Sequence, residues 1–563
     1  FDTATIDHLA ASFDEQLRAL VEHCCQPGSM GITPSDFPLA GIDQAQLDAL
    51  EVPASQVEDI YPLSPMQQGM LFHSLLEQGS GEYVNQLCVD VDGLDVERFR
   101  GAWQAAMDSH GILRSAFVWQ GGGQQLQIIH RHLPLDFTCV DWRGSGDLDG
   151  ALQALAEQDR ARGFELSRPG LLRLTLVRTG VHRHHLMFTH HHILMDGWSS
   201  SQLLGEVMQR YHGKASERPL GRYRDYIQWL QQRDAQSSER FWKERLAAFE
   251  APTLLARTGA EPASSSGHEL LHHDFDTAAT QRLNAFARQQ KVTLNTLVQA
   301  AWLLLLQRYT GQDCVTVGTT VAGRPADLPG VENQLGLFIN TLPLAASPHP
   351  QQTVAQWLHT LQDLSLAMRE HEHSALFEVQ GWVGHSGEAL FDNILVFENF
   401  PVSEALERGA PQGLKFGPAR HSDLTSYPLT LGVTQGERLA LHYSFDLAYF
   451  SAERIRRING HMAQLLDALA QNPQRALGAL GMLTATEQAQ VVEQWNATGA
   501  DYPLGICVHK LNEAQMRQTP AAVALVLGER QLSYCELAQP ANQLAHPLFE
   551  QGAGTVAAVG TAA

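Results

Sequence analysis

The stretch Thr189-His-His-His-Ile-Leu-Met-Asp-Gly-Trp-Ser199 places adjacent histidines where a predicted strand ends. Because neighbouring strand residues point to opposite faces, only one of His191 and His192 is expected to face a given cleft. Asp196 follows His192 by four residues, and Gly197 permits a backbone conformation or a close approach that a Cβ would block. The helix predicted to begin after this stretch adds the positive end of its dipole. This stretch is therefore the candidate functional site.

Three interpretations of these histidines compete. The first is a structural pair bonded to backbone carbonyls. The second is a metal site, but the spacing is not the i, i+4 pattern of helical zinc sites and no cysteine is nearby. The third is acyl transfer, in which a histidine acts on an amine or hydroxyl that attacks a thioester. The histidines that suggest a metal are His182, His184, His185, His190, His191 and His192.

The composition is that of a globular protein with more than one domain. A chain of 563 residues predicts two to four folding units, since domains usually have about 100–200 residues. The 39 Lys and Arg residues against 61 Asp and Glu residues leave a net charge of −22. No basic stripe with interleaved aromatic residues is present, so nucleic-acid binding is disfavoured, and the acidic charge favours cationic partners.

Cysteine usage and hydropathy favour a cytoplasmic protein without a membrane partner. The cysteines lack CxxC spacing, which argues against a disulfide framework or structural zinc. The longest strongly apolar run, Ala300 to Leu306, is too short to span a bilayer, and no signal peptide is recognisable. The chain starts within a predicted helix and without an initiator Met, so a piece of a longer protein is expected. The cysteines are Cys24, Cys25, Cys88, Cys139, Cys314, Cys507 and Cys535.

Apolar periodicity predicts strands and helices in two rounds of about 200 residues each, after an initial helix from Thr5 to Cys24. The first round contains a hairpin around Thr179-Gly180 and a helix for which the serines at 199–201 offer N-caps. The second round begins with helices predicted at Thr280 to Gln290 and at Leu294 to Tyr309. Two similar α/β lobes are therefore predicted.

The histidine stretch resembles the HHxxxDG signature of condensation domains of nonribosomal peptide synthetases, which the wider chloramphenicol acetyltransferase-like superfamily shares. Five further segments resemble other motifs of the family, and Asp423 to Leu429 matches a sixth in part. The similarity extends over about residues 57–478, and Phe391 to Pro401 is similar to the segment that crosses between the lobes. The five segments are Tyr61 to His73, His110 to Phe117, Tyr223 to Trp229, Leu335 to Thr341 and Phe391 to Pro401.

The resemblance implies an α/β fold in which two chloramphenicol acetyltransferase-like lobes form a V-shaped pseudo-dimer around a central tunnel. It assigns residues 1–50 to the tail of a preceding epimerisation domain and its linker. Residues 51–230 form the N-terminal lobe and residues 231–478 the C-terminal lobe of the condensation domain. Residues 479–563 correspond to a linker and the start of a truncated, degenerate adenylation domain.

By the family pattern, the catalytic set consists of His192, His191, Asp196 and Gly197. His192 is expected to face the tunnel, where it acts as a base or positions the attacking amine. The backbone N–H of Gly197 is a candidate donor to the tetrahedral oxyanion.

The resemblance also implies residues that support the site and line the tunnel. Asp196 is expected to be structural, because a buried carboxylate needs a partner, and Arg324 is the candidate partner. Trp198 is expected to give further structural support, and no metal is expected. The expected tunnel residues are Ser64, Met66, Gln67, Asn340 and Tyr427.

The substrates implied by the resemblance are thioesters on phosphopantetheine arms. An upstream peptidyl carrier protein delivers the donor, the product is an amide, and no cofactor is covalently bound to this chain. The segment Tyr61 to His73 resembles that of condensation domains that follow an epimerisation domain, and residues 1–50 resemble the tail of an epimerisation domain and its linker, so a donor ending in a D-residue is expected. Heterocyclisation relatives replace the histidines with an aspartate pair and are excluded. An epimerisation domain and a non-catalytic docking platform are the alternatives.

Two acceptors are compatible with the end of the chain. Residues 495–498, 532–537 and 541–545 resemble the opening of an adenylation domain, which implies a downstream L-aminoacyl carrier protein as acceptor. Pro540 and Pro547 interrupt a stretch that should be helical, where proline costs about 3 kcal/mol. If the adenylation domain has decayed and Ala563 is the natural end, the chain is released onto a free small amine. A diamine or polyamine would suit the acidic charge.

Overall fold

The computed structural model of the chain describes residues 2–26, 31–50, 52–76, 83–119, 124–144, 146–214, 221–259, 267–398, 406, 413–422, 424–501 and 505–552. The chain divides into two compact units, Phe1–Thr484 and Ala485–Ala563. Three parts of the motifs and boundaries considered above lie outside the described residues, namely residues 399–401, Asp423 and residues 553–563.

The first unit begins with an exposed amphipathic helix, α1 (Thr3–Cys24). Its N-cap is Asp2, whose carboxylate accepts a hydrogen bond from the Thr5 N–H at 2.8 Å. A second helix, α2 (Gln44–Asp48), lies near the end of residues 1–50, which were assigned to the tail of an epimerisation domain and its linker. Part of that stretch is packed, because Phe37 and its neighbours share a small core with the first strand of the lobe that follows.

The N-terminal lobe alternates strands and helices. In its main sheet β2, β7, β6 and β5 are neighbours in this order, and β1, β4 and β3 form a separate antiparallel sheet. β2, β7 and β6 are antiparallel to one another, whereas β5 is parallel to β6. The elements are β1 (Val57–Pro62), α3 (Pro65–Leu76), β2 (Val84–Asp92), α4 (Val96–Ser109), β3 (Ser115–Trp119), β4 (Gln125–His130), β5 (Asp136–Asp141), α5 (Leu148–Arg162), β6 (Leu172–Arg178), β7 (Arg183–His191), α6 (Gly197–Tyr211) and α7 (Tyr223–Gln231).

The C-terminal lobe has its own core around a six-stranded sheet of order β10-β9-β11-β14-β15-β8. Helix α10 is apolar on all sides, and its buried positions run without a break from Thr296 to Leu306, as in helices enclosed by a core. The elements are α8 (Ala235–Arg245), β8 (His268–Asp274), α9 (Thr277–Gln289), α10 (Leu294–Thr310), β9 (Val315–Val321), β10 (Asn340–Ala346), α11 (Val354–Met368), α12 (Leu376–Trp382), β11 (Asn393–Glu398), β12 (Lys415–Phe416), β13 (Arg420–Ser422), β14 (Leu429–Gln435), β15 (Leu439–Asp446) and α13 (Ala452–Gln471).

The second half of the chain completes the N-terminal lobe. β12 and β13 pair with the free edge of β2, and Leu335, Leu337 and Phe338 lie in the N-terminal core. The motif at Phe391 to Pro401 was expected to cross between the lobes, but its described part contains β11, which lies within the C-terminal sheet. The apolar side chains of β11 belong to the C-terminal core. The strands that pair with the N-terminal sheet are β12 and β13, which come later in the chain.

Helix α6 begins before the serines that were expected to cap it. Its N-cap is Asp196, whose carboxylate accepts a hydrogen bond from the Ser199 N–H at 2.8 Å. The serines at 199–201 therefore lie inside the helix. An aspartate at this position satisfies one of the amides that a helix N-terminus leaves unpaired. The predicted hairpin before it is present as β6 and β7.

In the second unit no described residue is buried. Its elements are α14 (Ala485–Ala489), a π-helical turn (Gln490–Gln494), α15 (Val508–Gln518), β16 (Val523–Leu527), β17 (Arg530–Ser533) and α16 (Tyr534–Glu550). Pro540 and Pro547 do not interrupt α16, which continues through both. A capping box of Ser533 and Glu536 supports the start of this helix. None of the helices in the described parts of either unit is long and apolar enough to cross a membrane.

Candidate active site

A cavity of about 1490 Å³ lies between the two lobes of the first unit. One wall comes from α3, β2, β7 and the N-terminus of α6, and the facing wall comes from the C-terminal sheet. The histidine stretch enters this cavity where β7 ends. The fold therefore places the residues selected from the sequence at a concave site with contributions from both lobes.

Of the two adjacent histidines, His192 lines the cavity and His191 does not. The Nδ1 atom of His192 lies 2.9 Å from the Met195 carbonyl oxygen. A carbonyl can only accept, so Nδ1 is the donor, and in the neutral form of the ring Nε2 carries the lone pair. Nε2 makes no hydrogen bond to any residue in the described ranges. His192 is thus held in the tautomer that can accept a proton from a group in the cavity.

His191 has a different environment from His192. Its side chain is buried, and Nδ1 accepts a hydrogen bond from the Ile193 N–H at 3.1 Å. Burial, reinforced by the neighbouring His192, lowers the pKa of His191 to about 3. The strand alternation separates the two rings, so His191 holds the turn after β7 rather than contacting material in the cavity.

Asp196 is buried, and both of its carboxylate oxygens are bonded. Oδ1 accepts from the Ser199 N–H and lies 3.4 Å from Arg324 Nη2, within the distance of an ion pair. Oδ2 accepts from the Phe338 N–H at 3.1 Å. The carboxylate therefore joins the N-terminus of α6 to a segment that is more than a hundred residues away in sequence.

Arg324 completes this junction. Its guanidinium donates to Ser199 Oγ at 2.7 Å and to the carbonyls of Val331 and Gln334, and it stacks on the Phe338 ring at 4.0 Å. Burial lowers its pKa, an effect that Asp196 opposes. Asp196 and Arg324 thus hold together the segments around the site. Both carboxylate oxygens of Asp196 are used in these contacts, so Asp196 is structural.

Gly197 is the first residue of α6 and lines the cavity. Its backbone is not left-handed, so a special conformation does not explain the glycine, and only its position beside the cavity remains as a reason. The N–H groups of Gly197 and Trp198 make no hydrogen bond to other described residues. Two free donors at a helix N-terminus favour developing negative charge.

Trp198 was expected to support the structure, but 42% of its side chain is exposed and it lines the cavity. Its indole therefore lies where a substrate would contact it. A support role would require packing in the core, which the core residue Trp103 has and Trp198 does not.

Three of the five expected tunnel residues line the cavity, namely Met66, Asn340 and Tyr427. Ser64 and Gln67 do not. They form the hydrogen bonds of a capping box at the start of α3, with the Ser64 N–H bonded to Gln67 Oε1 at 2.9 Å. Gln67 Nε2 donates to the Ile193 carbonyl at 3.2 Å. These two residues therefore connect α3 to the histidine turn from behind.

Tyr83 is a residue of the site that the sequence does not reveal. Its carbonyl accepts from the His192 N–H at 2.7 Å, and its hydroxyl lies 2.8 Å from Ser426 Oγ. It adopts a left-handed backbone (φ 58°), which is uncommon for a residue other than glycine. In a sequence, Gly or Asn would indicate a left-handed backbone at this position, whereas a tyrosine does not. The lining residues His272 of β8 and His442 of β15 were also missed. No strand was predicted at β8, and the strand predicted at Leu439 to Phe445 did not by itself indicate that His442 faces the cavity.

Neither a metal-binding cluster nor a disulfide is present among the residues that the structure describes. No group of three or more His, Cys, Asp or Glu side chains is arranged there to hold a metal ion. The seven cysteines all lie in the described ranges, and none of them forms a disulfide.

The sequence profile of the family described as Condensation domain matches residues 57–492. The chain is 40% identical over 562 residues to one of the subunits of linear gramicidin synthase from Brevibacillus parabrevis, covering 98% of the chain and 7% of that protein. It is 32% identical over 575 residues to bacitracin synthase 3 of Bacillus licheniformis, covering 98% and 9%. The chain thus spans less than a tenth of the length of either relative.

Solved structures show the same fold at low sequence identity. A four-domain nonribosomal peptide synthetase bound to AMP and glycine superposes with a TM-score of 0.69 at 21% identity, covering 88% of this chain and 39% of that one. The first condensation domain of the calcium-dependent antibiotic synthetase superposes with a TM-score of 0.62 at 19% identity, covering 76% and 99%. These likenesses confirm the predicted fold class of two chloramphenicol acetyltransferase-like lobes.

Proposed function

The chain belongs to the condensation-domain family of nonribosomal peptide synthetases, amide-forming acyltransferases, and we propose that it joins a carrier-bound peptidyl or acyl thioester to the amine of an L-aminoacyl carrier protein. Both substrates arrive on phosphopantetheine arms. The observation that carries the proposal is His192, which lines a cavity built by both lobes and whose ring is oriented by the bond from Nδ1 to the Met195 carbonyl.

The reaction that fits this geometry is attack of an amine on a thioester carbonyl. The C–N bond forms, the C–S bond breaks, and the amine loses one proton. His192 Nε2 accepts that proton and returns it to the departing thiolate. The N–H groups of Gly197 and Trp198 donate to the oxyanion of the tetrahedral intermediate. Because a free α-ammonium has a pKa of about 7.7–8.0, part of the amine is already neutral, and positioning is the second role of His192.

The proposed donor is a peptidyl thioester that ends in a D-residue. Two parts of the chain support this through family likeness: residues 61–73, which carry α3 at the cavity wall, and residues 1–50, which we assign to the tail of an epimerisation domain. An epimerising activity of this chain itself would instead invert the donor residue without forming an amide.

The proposed acceptor is carrier-bound, because residues 479–563 match the linker and the start of an adenylation domain. Release onto a free amine is the competing outcome. It would require a site in the cavity for a small untethered amine, and the acidic net charge of −22 would attract a polyamine.

Mass spectrometry of single-turnover reactions tests these proposals. The chain receives a peptidyl carrier protein ending in a D-residue or an L-residue, together with an L-aminoacyl carrier protein or a panel of free amines that includes diamines. Elongated peptide on the acceptor carrier, with the D-ending donor preferred, is the expected result. An untethered peptide amine would indicate chain release instead. Absence of amide with every pair, beside measurable carrier binding, would indicate a docking platform.

A further inference from the structure

The cavity contains buried polar atoms without a protein partner, next to His192. His190 lies near the end of β7, two residues before His192, and only 4% of its surface is exposed. Asn85 of β2 is its direct partner in the antiparallel register, so the two side chains are neighbours on one face of the sheet. Both residues line the cavity.

Neither ring nitrogen of His190 has a hydrogen-bond partner among the described residues, and neither does the side-chain oxygen of Asn85. The opposite face of the same strands differs. There Gln86 Nε2 lies 3.1 Å from Thr189 Oγ1, and both side chains also bond to Asp159. Buried polar groups in folded proteins are normally bonded, so an orphaned pair facing a cavity indicates that a ligand or water completes it.

The pair is electrically neutral. Burial, reinforced by His192, His191 and His421, lowers the pKa of His190 to about 3. A neutral imidazole offers one N–H donor and one acceptor, and the Asn85 oxygen offers a second acceptor. The Phe188 ring stacks on His190 at 4.9 Å and makes the surroundings apolar. The Asn85 carboxamide also carries N–H donors, so the pair offers donors and acceptors but no charge. An ion would lose its hydration there without meeting an opposite charge, so a neutral group that donates and accepts fits best.

We propose that His190 and Asn85 form a subsite for a hydroxyl group on a substrate residue held at His192. This inference rests on the proposed amide-forming function. His190 and His192 are two residues apart across the end of β7, and because His191 is extended the separation is roughly 7 Å. A side chain of the residue that forms the new amide bond spans that distance, and this residue belongs either to the donor end or to the acceptor.

Matched substrates show whether the hydroxyl belongs to the donor residue or to the acceptor residue. In the donor arm, peptidyl carriers ending in D-Thr or D-Val react with one fixed acceptor; in the acceptor arm, L-Thr and L-Val carriers react with one fixed donor. Threonine and valine are similar in shape and differ by the hydroxyl. In one arm we expect kcat/KM for threonine to exceed that for valine by about tenfold, the scale of one well-made hydrogen bond.

Variants test which residues make the contact. His190→Leu and Asn85→Leu should each bring the threonine-to-valine ratio close to one. His184→Leu is the matched control, because His184 is a buried histidine of the same strand with an unbonded ring nitrogen and lies outside the cavity. It should keep the wild-type ratio. If His190→Leu does not fold, Asn85→Leu decides.

Ratios within twofold of one in both arms would overturn the subsite, as would equal changes in the His184 and His190 variants. Both results leave amide formation itself intact. Failure of every substrate pair to give an amide is a different result, which contradicts the proposed function and the subsite with it.

Discussion

The Nδ1–H of His192 donates a hydrogen bond to the Met195 carbonyl at 2.9 Å, within the turn that joins β7 to α6. The turn therefore sets both the tautomer and the orientation of the ring. It is itself held from three sides, by Tyr83 at the His192 amide, by Gln67 at the Ile193 carbonyl and by Asp196 at the start of α6. A small motif thus depends on contacts with distant parts of the chain.

Replacing His192 by alanine should lower the single-turnover rate of amide formation about 10²–10⁴-fold, because the variant loses the group that accepts the proton of the amine. Quenched-flow mass spectrometry measures the rate. His185→Ala is the control, since His185 lies on β7 just before this turn and pairs with Asp90 away from the cavity. If the His192 variant kept more than about a tenth of the rate, positioning rather than proton transfer would be its role.

Replacing Arg324 by alanine should lower the free energy of unfolding by about 3–5 kcal/mol, because it leaves the Asp196 carboxylate buried without its charge partner. The side chains of the pair are only 11% and 1% exposed. Chemical denaturation measures the change. Arg282→Ala removes an ion pair whose side chains are 53% and 41% exposed, and it should cost no more than about 1 kcal/mol. Equal losses in the two variants would contradict the structural role of Arg324.

Stability should decrease as the pH falls below about 6.5, the usual pKa of histidine. His190 and His191 have pKa values lowered to about 3 by burial, so the folded state keeps both neutral while the unfolded state binds protons. Each such group removes about 1.4 kcal/mol per pH unit between its unfolded and folded pKa values.

Urea denaturation between pH 6.5 and 5 measures this slope while most carboxylates remain ionised. His190→Leu should reduce the slope, since one proton uptake disappears from the unfolded state. Leu9→Ala on the exposed helix α1 removes no titratable group and should leave the slope unchanged. A slope that is the same in wild type and in the His190 variant would rule out a neutral buried His190.

Met66 and Gln67 are adjacent in sequence and should give opposite phenotypes. Gln67→Ala breaks the bonds to the Ser64 N–H and the Ile193 carbonyl, and it should cost about 1–3 kcal/mol of stability because it leaves buried backbone groups unpaired. Met66→Ala should instead raise KM, because the Met66 side chain lines the cavity. Thermal melts and steady-state kinetics on both variants test this. A rise in KM for Gln67→Ala at unchanged stability would contradict the capping role and support the sequence-based prediction that Gln67 lines the tunnel.

Much of the fold was predictable from local patterns. The periodicity of apolar residues located α1, α10 and the β6–β7 hairpin, since each of these elements follows from spacing along a few turns or one strand pair. The alternation of strand residues also indicated that His191 and His192 face opposite ways, and the cavity contains one of them. The exact start of α6 was missed, because three serines and one aspartate all have capping propensity and only the geometry selects among them.

The rest of the site depends on contacts over long sequence distances. Tyr83 bonds to Ser426 across 343 residues, and Asp196 bonds to Phe338 across 142. Ser64 and Gln67 belong to a recognisable motif, yet their side chains cap a helix rather than line the cavity. A sequence motif therefore does not predict the direction in which each of its side chains points.

Local sequence patterns were enough to specify the two α/β lobes, the histidine stretch at a strand end and the family likeness that its motifs carry. Packing in three dimensions selected which polar residues face the cavity, which are used for capping and pairing, and which, like His190 and Asn85, are left unbonded beside His192. The two differ because periodicity encodes the face of a single helix or strand, whereas the partner of a buried polar atom is supplied by whichever distant segment packs against it.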